Sequence, residues 1–309
     1  MALPPSNAPA HDFAGRSLKP AVESLVAYLN LTKPRLLPMV LFTALPVLGL
    51  LPGGWPAPFF SILVIVGVAL AAASANTFNA YIERESDARM ERTRGRPLPA
   101  GEVSPIAALG LGWLLGISAT VLLGLLGGFM AAAIAVASIL FYVFVYTVWL
   151  KPRTAWNTVV GAAAGAVAPV LAQAAATGTV GALGLTLFAI VFFWQPPHVW
   201  AIALYRKPEY EAAGVMMLPT AIGSEATRRW MVAWTIGLFP VSLLPLFLGF
   251  VGPVYGVVAF AANAVFLASA VHVYRRRSDD AARLMFRVSL AYLFVVFLAI
   301  NLEVVLRSL

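Results

Sequence analysis

Long runs of apolar residues constrain this chain more than any other feature of its sequence. The hydrocarbon core of a bilayer is about 30 Å thick, and a helix needs about 20 apolar residues to cross it. None of the runs alternates apolar and polar residues as the strands of a membrane β-barrel do. We therefore predict an all-α polytopic membrane protein, a bundle of nine transmembrane helices. The predicted spans lie near residues 36–52, 58–80, 104–125, 128–149, 155–176, 182–203, 230–251, 254–273 and 285–302.

The composition narrows the remaining classes of protein. Of the 309 residues, 61% are hydrophobic and only 11% are charged, whereas soluble domains carry about 25% charged residues. A water-soluble enzyme is therefore excluded. The chain has no cysteine, which excludes disulfides, thiolate-bound zinc and iron–sulfur clusters, so any metal must be bound by oxygen or imidazole. The net charge of +8 does not predict a nucleic-acid partner here, because the basic residues flank apolar spans.

The positions of the basic residues predict how the chain is oriented. Every Lys and Arg except Arg307 lies before the first predicted span or beside the connections after the second, fourth, sixth and eighth spans. Because basic residues are enriched in cytoplasmic connections, we expect a cytoplasmic N-terminus and an external C-terminus in a bacterial inner membrane. We divide the chain into an N-terminal cytoplasmic segment, 1–30, that need not be ordered, and one intramembrane domain, 31–309.

Two predicted cytoplasmic connections, 83–103 and 204–229, are much longer than the external turns and are rich in charge. At the first, Asn79, Glu83 and Asp87 are spaced at i, i+4 and i+8. On a helix, this spacing places all three side-chain oxygens on one face. The row is either part of a binding site or a helix end with solvated charges.

Basic residues follow this acidic row at once, and the second connection repeats the mixture of charges. Carboxylates can hold Mg²⁺, which keeps substrate phosphate oxygens among its ligands, while arginines bind the remaining phosphate oxygens. The pattern therefore favours a metal-bound polyphosphate over a cation channel or a lipid-headgroup site. The residues are Arg89, Arg92, Thr93, Arg94 and Arg96 in the first connection and Arg206, Lys207, Glu209 and Glu211 in the second.

Within the predicted spans, ionisable residues are nearly absent, and His198 is the notable exception. Pro196 and Pro197 precede it and should kink or break the sixth span, which would suit the wall of a pocket. A hydrogen bond from His198 to a freed backbone carbonyl explains it equally well. On the fifth span, the small residues of 161–166 indicate close helix packing, and Asn157 is polar enough to line a cavity.

Several segments together carry a resemblance to a known family. They are residues 31–35, 79–87, 90–97, 146–147 with Lys151, 194–198, 205–214 and 217–219. In combination they resemble the protohaem farnesyltransferases, the haem O synthases of the UbiA-type superfamily of intramembrane prenyltransferases. The acidic motif is typical of the superfamily, whereas Trp194-Gln195-Pro196-Pro197-His198 is more specific to the haem branch.

This resemblance implies a helix bundle around a central cavity open to lipid, in which farnesyl diphosphate and haem B react to give haem O. Asn79, Glu83 and Asp87 would hold one Mg²⁺ and Glu209 another. Tyr146 would stabilise the farnesyl cation through its ring face, and a downstream haem A synthase is a candidate partner. The implied diphosphate ligands are Arg35, Arg92, Arg94, Arg96, Lys151, Arg206 and Lys207, and the implied porphyrin contacts are Trp194, Gln195 and His198.

The chain departs from the family pattern at Glu83 and Glu209, where the family usually has Asp. Two other functions stay open. A prenyltransferase for an aromatic or quinone-precursor acceptor would use the same acidic motif but would leave the motif at 194–198 without a purpose. A transporter of a phosphorylated or lipid-linked solute would need an outward opening, and the external turns are short and uncharged.

Overall fold

Helices joined by short loops make up the computed structural model, which describes residues 19–308. The all-helical prediction is confirmed for that part of the chain. Residues 1–18 of the predicted N-terminal segment lie outside the described residues, whereas its residues 19–30 are helical. The helices are α1 (Lys19–Leu31), α2 (Leu37–Leu50), α3 (Pro58–Ala88), α4 (Pro105–Leu140, continued as a π-helix over Phe141–Leu150), α5 (Asn157–Ala166), α6 (Ala168–Thr177), α7 (Ala182–Tyr205), α8 (Lys207–Ala212), α9 (Leu218–Ala221), α10 (Ser224–Phe247), α11 (Pro253–Arg276) and α12 (Asp279–Ser308).

Seven helical stretches within the described residues are long and apolar enough to cross a membrane, fewer than the nine predicted. The first difference is α2, which has only 14 residues. At 1.5 Å per residue it extends about 21 Å, less than the bilayer core. The second difference is that the predicted spans 104–125 and 128–149 lie in one apolar stretch of 46 residues, Pro105–Leu150, with no loop between them.

Gly128 divides this long stretch into two arms. Its φ of 69° and ψ of −159° are not helical, and glycine adopts a positive φ without steric cost. A Cβ placed on Gly124 would lie 3.3 Å from the Cβ of Ala132. On one straight helix, residues eight positions apart are separated by about 12 Å. The two arms therefore fold back against each other beside Gly128.

Prolines affect two helices differently from the prediction. The sequence predicted a kink or a break at Pro196 and Pro197, and no break is formed, since α7 continues through both residues to Tyr205. Both prolines are buried, so packing against neighbouring helices compensates for the lost backbone hydrogen bonds. The fifth span is the one that is divided: α6 begins just before Pro169, which lacks the N–H needed to continue α5.

Pairwise helix packing holds the site in place. Helix α3 packs along α4, α5 packs against α7, and α7 also packs against α10 and α12. Between the last three helices, the buried amide of Asn263 donates to Ser242 Oγ at 2.5 Å and to the Ala259 carbonyl at 2.7 Å. Its carbonyl oxygen accepts a hydrogen bond from Tyr292 Oη at 3.1 Å. A satisfied polar network thus connects α10, α11 and α12.

Candidate active site

The acidic row of α3 forms one wall of a polar cavity of about 240 Å³. Because α3 continues to Ala88, Asn79, Glu83 and Asp87 lie on successive turns, and all three line the cavity. Asn79 and Asp87 are buried, and the side chain of Glu83 is only 12% exposed. The row is therefore not a solvated helix end.

Cationic side chains pair with both carboxylates of this row. Lys151, just after the π-helix, donates to Glu83 Oε1, and Arg96 donates to Asp87 Oδ2 at 2.7 Å. Burial alone would lower the pKa of Lys151, but the neighbouring Tyr146 and Glu83 raise it overall. The Lys151 ammonium is therefore charged at neutral pH. Each of these two ion pairs uses one carboxylate oxygen, so the pairing leaves each side chain a second oxygen with which to bind a ligand.

Lys33, between α1 and α2, completes the row. Its Nζ donates to Asn79 Oδ1 at 2.5 Å, and the Asn79 amide in turn donates to Thr147 Oγ1 at 3.1 Å. Burial lowers the pKa of Lys33 to about 8, although the charge of Glu83 acts in the opposite direction. Lys33 and Thr147 both lie in segments that carry the family resemblance, 31–35 and 146–147, but neither was predicted as a site residue.

The polar cavity carries an excess of positive charge. Four cationic and two anionic side chains line it, and such a cavity attracts anions with more than one negative charge. The cations are Lys33, Arg92, Arg96 and Lys151, the anions are Glu83 and Asp87, and the other polar or aromatic lining residues are Asn79, Ser86, Tyr142, Tyr146, Asn157, Thr158, Gln195 and Tyr210.

Glu209, on the short helix α8, lies behind the basic wall of this cavity. Its Oε2 accepts a hydrogen bond from Arg206 at 2.9 Å, and its Oε1 lies 3.6 Å from Nε of Arg92. Among the described residues, Oε1 has no hydrogen-bond partner although it is buried. Because a buried carboxylate oxygen is costly to leave without a partner, this atom is a position at which a cation would be stabilised.

Four predicted phosphate-binding residues line neither the polar cavity nor the apolar cavity next to it, which is described below. Arg35 is exposed, and the side chain of Arg94 is 68% exposed and lies 4.0 Å from Glu91. Lys207 pairs within α8, and Arg206 binds the carboxylate of Glu209 as described above. The structure thus brings Arg92, Arg96 and Lys151 to the cavity but leaves these four on its periphery.

A second, apolar cavity of about 340 Å³ adjoins the polar one. Trp194 and His198 line the apolar cavity, and Gln195 lines both. The residues shared by the two cavities are Tyr142, Tyr146, Gly161, Gln195 and Val199. A ligand with an anionic end and a long apolar end would match this pair of cavities.

Two glycines of α5 create the shared wall. A Cβ on Gly161 would lie 2.4 Å from the ring of Tyr146, and a Cβ on Gly165 would lie 2.3 Å from Gln195 Oε1. Because glycine has no side chain, these two positions leave room for Tyr146 and Gln195 at the cavity. The small residues of this helix were predicted only to allow close helix packing. Asn157, at the start of α5, lines the polar cavity as predicted.

His198 is bound to a side chain of another helix. Its Nδ1 lies 2.6 Å from Ser289 Oγ on α12, and its ring stacks on Trp194 with the centroids 4.5 Å apart. No hydrogen bond to a carbonyl freed by the two prolines is formed among the described residues. That explanation of His198 is therefore not supported, and the ring belongs to the cavity wall.

The donor set around α3 fits a hard cation such as Mg²⁺. No group of three or more His, Cys, Asp or Glu side chains within residues 22–306 is close enough to hold a metal ion by itself. Asn79, Glu83 and Asp87 supply only oxygen, and Oε1 of Glu209 is a buried acceptor without a hydrogen bond. Mg²⁺ commonly binds through one or two carboxylates together with substrate phosphate and water. The residues present therefore suit a metal that arrives with an anionic substrate.

Comparison with known proteins shows which of them the chain resembles. The pattern of the UbiA prenyltransferase family matches residues 40–298. A protoheme IX farnesyltransferase of Acidiphilium cryptum strain JF-5 is 44% identical over 285 residues, which cover 89% of this chain and 90% of that protein. A protoheme IX farnesyltransferase of Rhodopseudomonas palustris strain BisB18 is 41% identical over 303 residues, which cover 97% of this chain and 96% of that protein.

Solved structures share the fold. Digeranylgeranylglyceryl phosphate synthase aligns with a TM-score of 0.76 and 18% identity, over 91% of this chain and 99% of that chain. A UbiA homologue from Archaeoglobus fulgidus, bound to DMAPP and Mg²⁺, aligns with a TM-score of 0.63 and 15% identity, over 89% of this chain and 99% of that chain. At these identities the similarity establishes the fold alone.

Proposed function

The chain belongs to the UbiA prenyltransferase family, and we propose that it transfers the farnesyl group of farnesyl diphosphate to a vinyl group of haem B to give haem O. The observation that carries the proposal is the polar, positively charged cavity that shares a wall with an apolar cavity lined by His198. The names of the two relatives agree with it. An integral membrane protein is well placed for two lipid-soluble substrates.

Cationic residues of the polar cavity would bind the diphosphate. Breaking the allylic C–O bond leaves a delocalised cation and a diphosphate, so the main task is to stabilise negative charge on the leaving group. Lys33, Arg92, Arg96 and Lys151 are placed for this task around one cavity. No protein nucleophile is needed for this step.

Asn79, Glu83 and Asp87 are the residues that would hold Mg²⁺ on the α3 side, and Glu209 would hold a second ion beside Arg92. Bound Mg²⁺ would supply positive charge to the diphosphate oxygens as the C–O bond breaks. These oxygen donors line or adjoin the cavity where the diphosphate would lie. The UbiA homologue from Archaeoglobus fulgidus with DMAPP and Mg²⁺ bound is consistent with this assignment.

Aromatic residues at the shared wall would protect the farnesyl cation. The rings of Tyr142 and Tyr146 are 5.3 Å apart and border both cavities, and an aromatic face attracts a cation. Apolar residues on the far side limit the access of water, which would otherwise quench the cation before the haem vinyl group attacks it. Trp194, Gln195 and His198 would contact the porphyrin, and water then completes the hydroxyethyl group.

The topology that we propose keeps nine membrane crossings. The two arms that meet at Gly128 would each cross the membrane, and α2 would cross with the help of flanking residues despite its 14 residues. The catalytic loops would then lie in the cytoplasm of a bacterial cell, on the side where nearly all Lys and Arg residues lie. The cavity would open to lipid, and the product would pass to a downstream haem A synthase.

A defined reaction tests the proposal. The purified protein in nanodiscs is incubated with farnesyl diphosphate, Mg²⁺ and haem B, and the pigments are separated and weighed by mass spectrometry. We expect a later-eluting haem whose mass has increased by one farnesyl and one hydroxyl group. A parallel reaction supplies 4-hydroxybenzoate as the acceptor. Prenylation of the hydroxybenzoate but not of haem B would overturn the proposal in favour of another acceptor.

A further inference from the structure

The imidazole of His198 is held in one orientation by three neighbours. Its ring stacks on Trp194 at a centroid distance of 4.5 Å and an interplanar angle of 24°, and it lies 4.9 Å from the ring of Phe286. Its Nδ1 is 2.6 Å from Ser289 Oγ. Trp194 is itself fixed, because its indole N–H donates to the Ser289 backbone carbonyl at 2.7 Å. The ring is therefore preorganised before any ligand binds.

The hydrogen bonds of Ser289 determine which nitrogen of His198 carries the proton. Ser289 Oγ donates to the Phe286 carbonyl oxygen at 2.6 Å, and a carbonyl oxygen can only accept. A serine hydroxyl has one proton, so its contact with His198 must be one in which Oγ accepts. Nδ1 of His198 therefore carries the hydrogen, and in the neutral ring Nε2 has a free lone pair.

Nε2 of His198 is available to a ligand. Among residues 22–306, Nε2 makes no hydrogen bond, and it is not fully enclosed by other atoms. His198 lines the apolar cavity, where haem B would lie. An imidazole whose Nδ1–H is held by a hydrogen bond, with Nε2 open to a cavity, is the usual arrangement of a histidine that binds a metal.

We propose that Nε2 of His198 is an axial ligand of the haem iron and that Ser289 is the positioning residue that fixes the tautomer required for ligation. The inference rests on the proposed function, because it takes haem as the acceptor. Apolar walls hold a porphyrin without fixing its rotation or depth. One directional bond to the iron would fix the height of the macrocycle and so limit where its vinyl groups meet the shared wall.

Titrations of the full-length protein in nanodiscs with two porphyrins test the proposal. The porphyrins are haem B and iron-free protoporphyrin IX, and binding is followed by the optical spectrum and by electron paramagnetic resonance. His198→Ala should abolish the spectrum of the imidazole-bound iron, and added imidazole should restore it. Ser289→Ala should weaken haem binding about 10- to 100-fold, as removal of a partner of a metal-binding histidine does. Iron-free porphyrin should bind Ser289→Ala as it binds wild type, and His198→Ala should weaken its binding far less than that of haem B, because it loses a ring contact but no bond to iron.

Ser269 provides the matched control. It is also a buried helical serine whose Oγ donates to the carbonyl of a phenylalanine three residues earlier, at 2.7 Å, but it has no histidine partner. Ser269→Ala should leave both titrations unchanged. If haem B and protoporphyrin IX bind equally and neither depends on His198 or Ser289, the ligation is refuted and the proposed function stands. If wild type binds neither porphyrin, the proposed function fails as well.

Discussion

Replacing Glu83 by Gln tests whether the acidic row works through its charge. The substitution keeps the length of the side chain but removes the anion that pairs with Lys151. The side chain of Glu83 is 12% exposed and that of Lys151 is 30% exposed. Breaking a fully buried ion pair costs about 3–5 kcal/mol, whereas a surface pair contributes at most about 1 kcal/mol. This pair is closer to the buried case. We expect Glu83→Gln to lower the free energy of unfolding by about 2–3 kcal/mol.

Glu83→Gln should also lower the catalytic rate. Loss of one preorganised electrostatic contact at a reacting group lowers turnover about a hundredfold or more. Glu83→Gln should therefore lose at least about a hundredfold in the rate of haem O formation and need more Mg²⁺ wherever activity remains. Glu83→Asp retains the charge, and the flexible Lys151 side chain can follow a shorter carboxylate, so this variant should keep most of the activity.

Glu85→Gln is the matched control, since Glu85 is on the same helix, its side chain is 83% exposed and it pairs only with its neighbour Arg84. The assay is haem O formation from farnesyl diphosphate and haem B across a Mg²⁺ titration, with thermal unfolding of each variant measured in parallel. If Glu83→Gln turns over at the wild-type rate with an unchanged Mg²⁺ requirement, the acidic row has no part in the reaction.

Three further perturbations test other parts of the structure. Gly165→Ala would place a methyl group 2.3 Å from Gln195 Oε1, so the Gln195 side chain must move into the cavities. We expect this variant to fold and to have a higher KM for haem B. Wild-type kinetics would contradict the close contact. Asn263→Ala removes the hydrogen-bond partner of the buried Ser242 and Tyr292 side chains. It should lower the free energy of unfolding by about 1–3 kcal/mol, as measured by thermal unfolding, and leave the turnover of the folded enzyme unchanged. Reporter fusions after Glu102 should be active in the cytoplasm and fusions after Gly127 outside it; the opposite result would reverse the proposed orientation.

Local spacing predicted the acidic row but not the residues that complete it. Asn79, Glu83 and Asp87 belong to one helix, so a period of about four residues is enough to place them together. Lys33 and Ser289 reach the site from positions 46 and 91 residues away from their partners in the sequence. Only the packing of separate helices brings such pairs together, and a single sequence contains no periodic signal for it.

Apolar length predicted some helix boundaries well and others poorly. It separated two predicted spans next to Gly128, where the backbone of the long stretch leaves the helical conformation, but it did not show that α2 has only 14 residues. The rule that two successive prolines break a helix treats the helix in isolation, whereas Pro196 and Pro197 are buried among other helices. For α7, contacts with distant parts of the chain therefore outweigh the local rule.

The ion pairs of the polar cavity imply that metal and diphosphate bind cooperatively. Glu83 and Asp87 are already neutralised by Lys151 and Arg96. A metal ion bound alone through the second carboxylate oxygens would be repelled by Lys151 and Arg96, while diphosphate bound alone to these cations would be repelled by Glu83 and Asp87. When both are bound, the metal ion and the diphosphate also attract each other. Each ligand should therefore raise the affinity for the other by the same factor, as linkage requires, and each should bind less tightly alone.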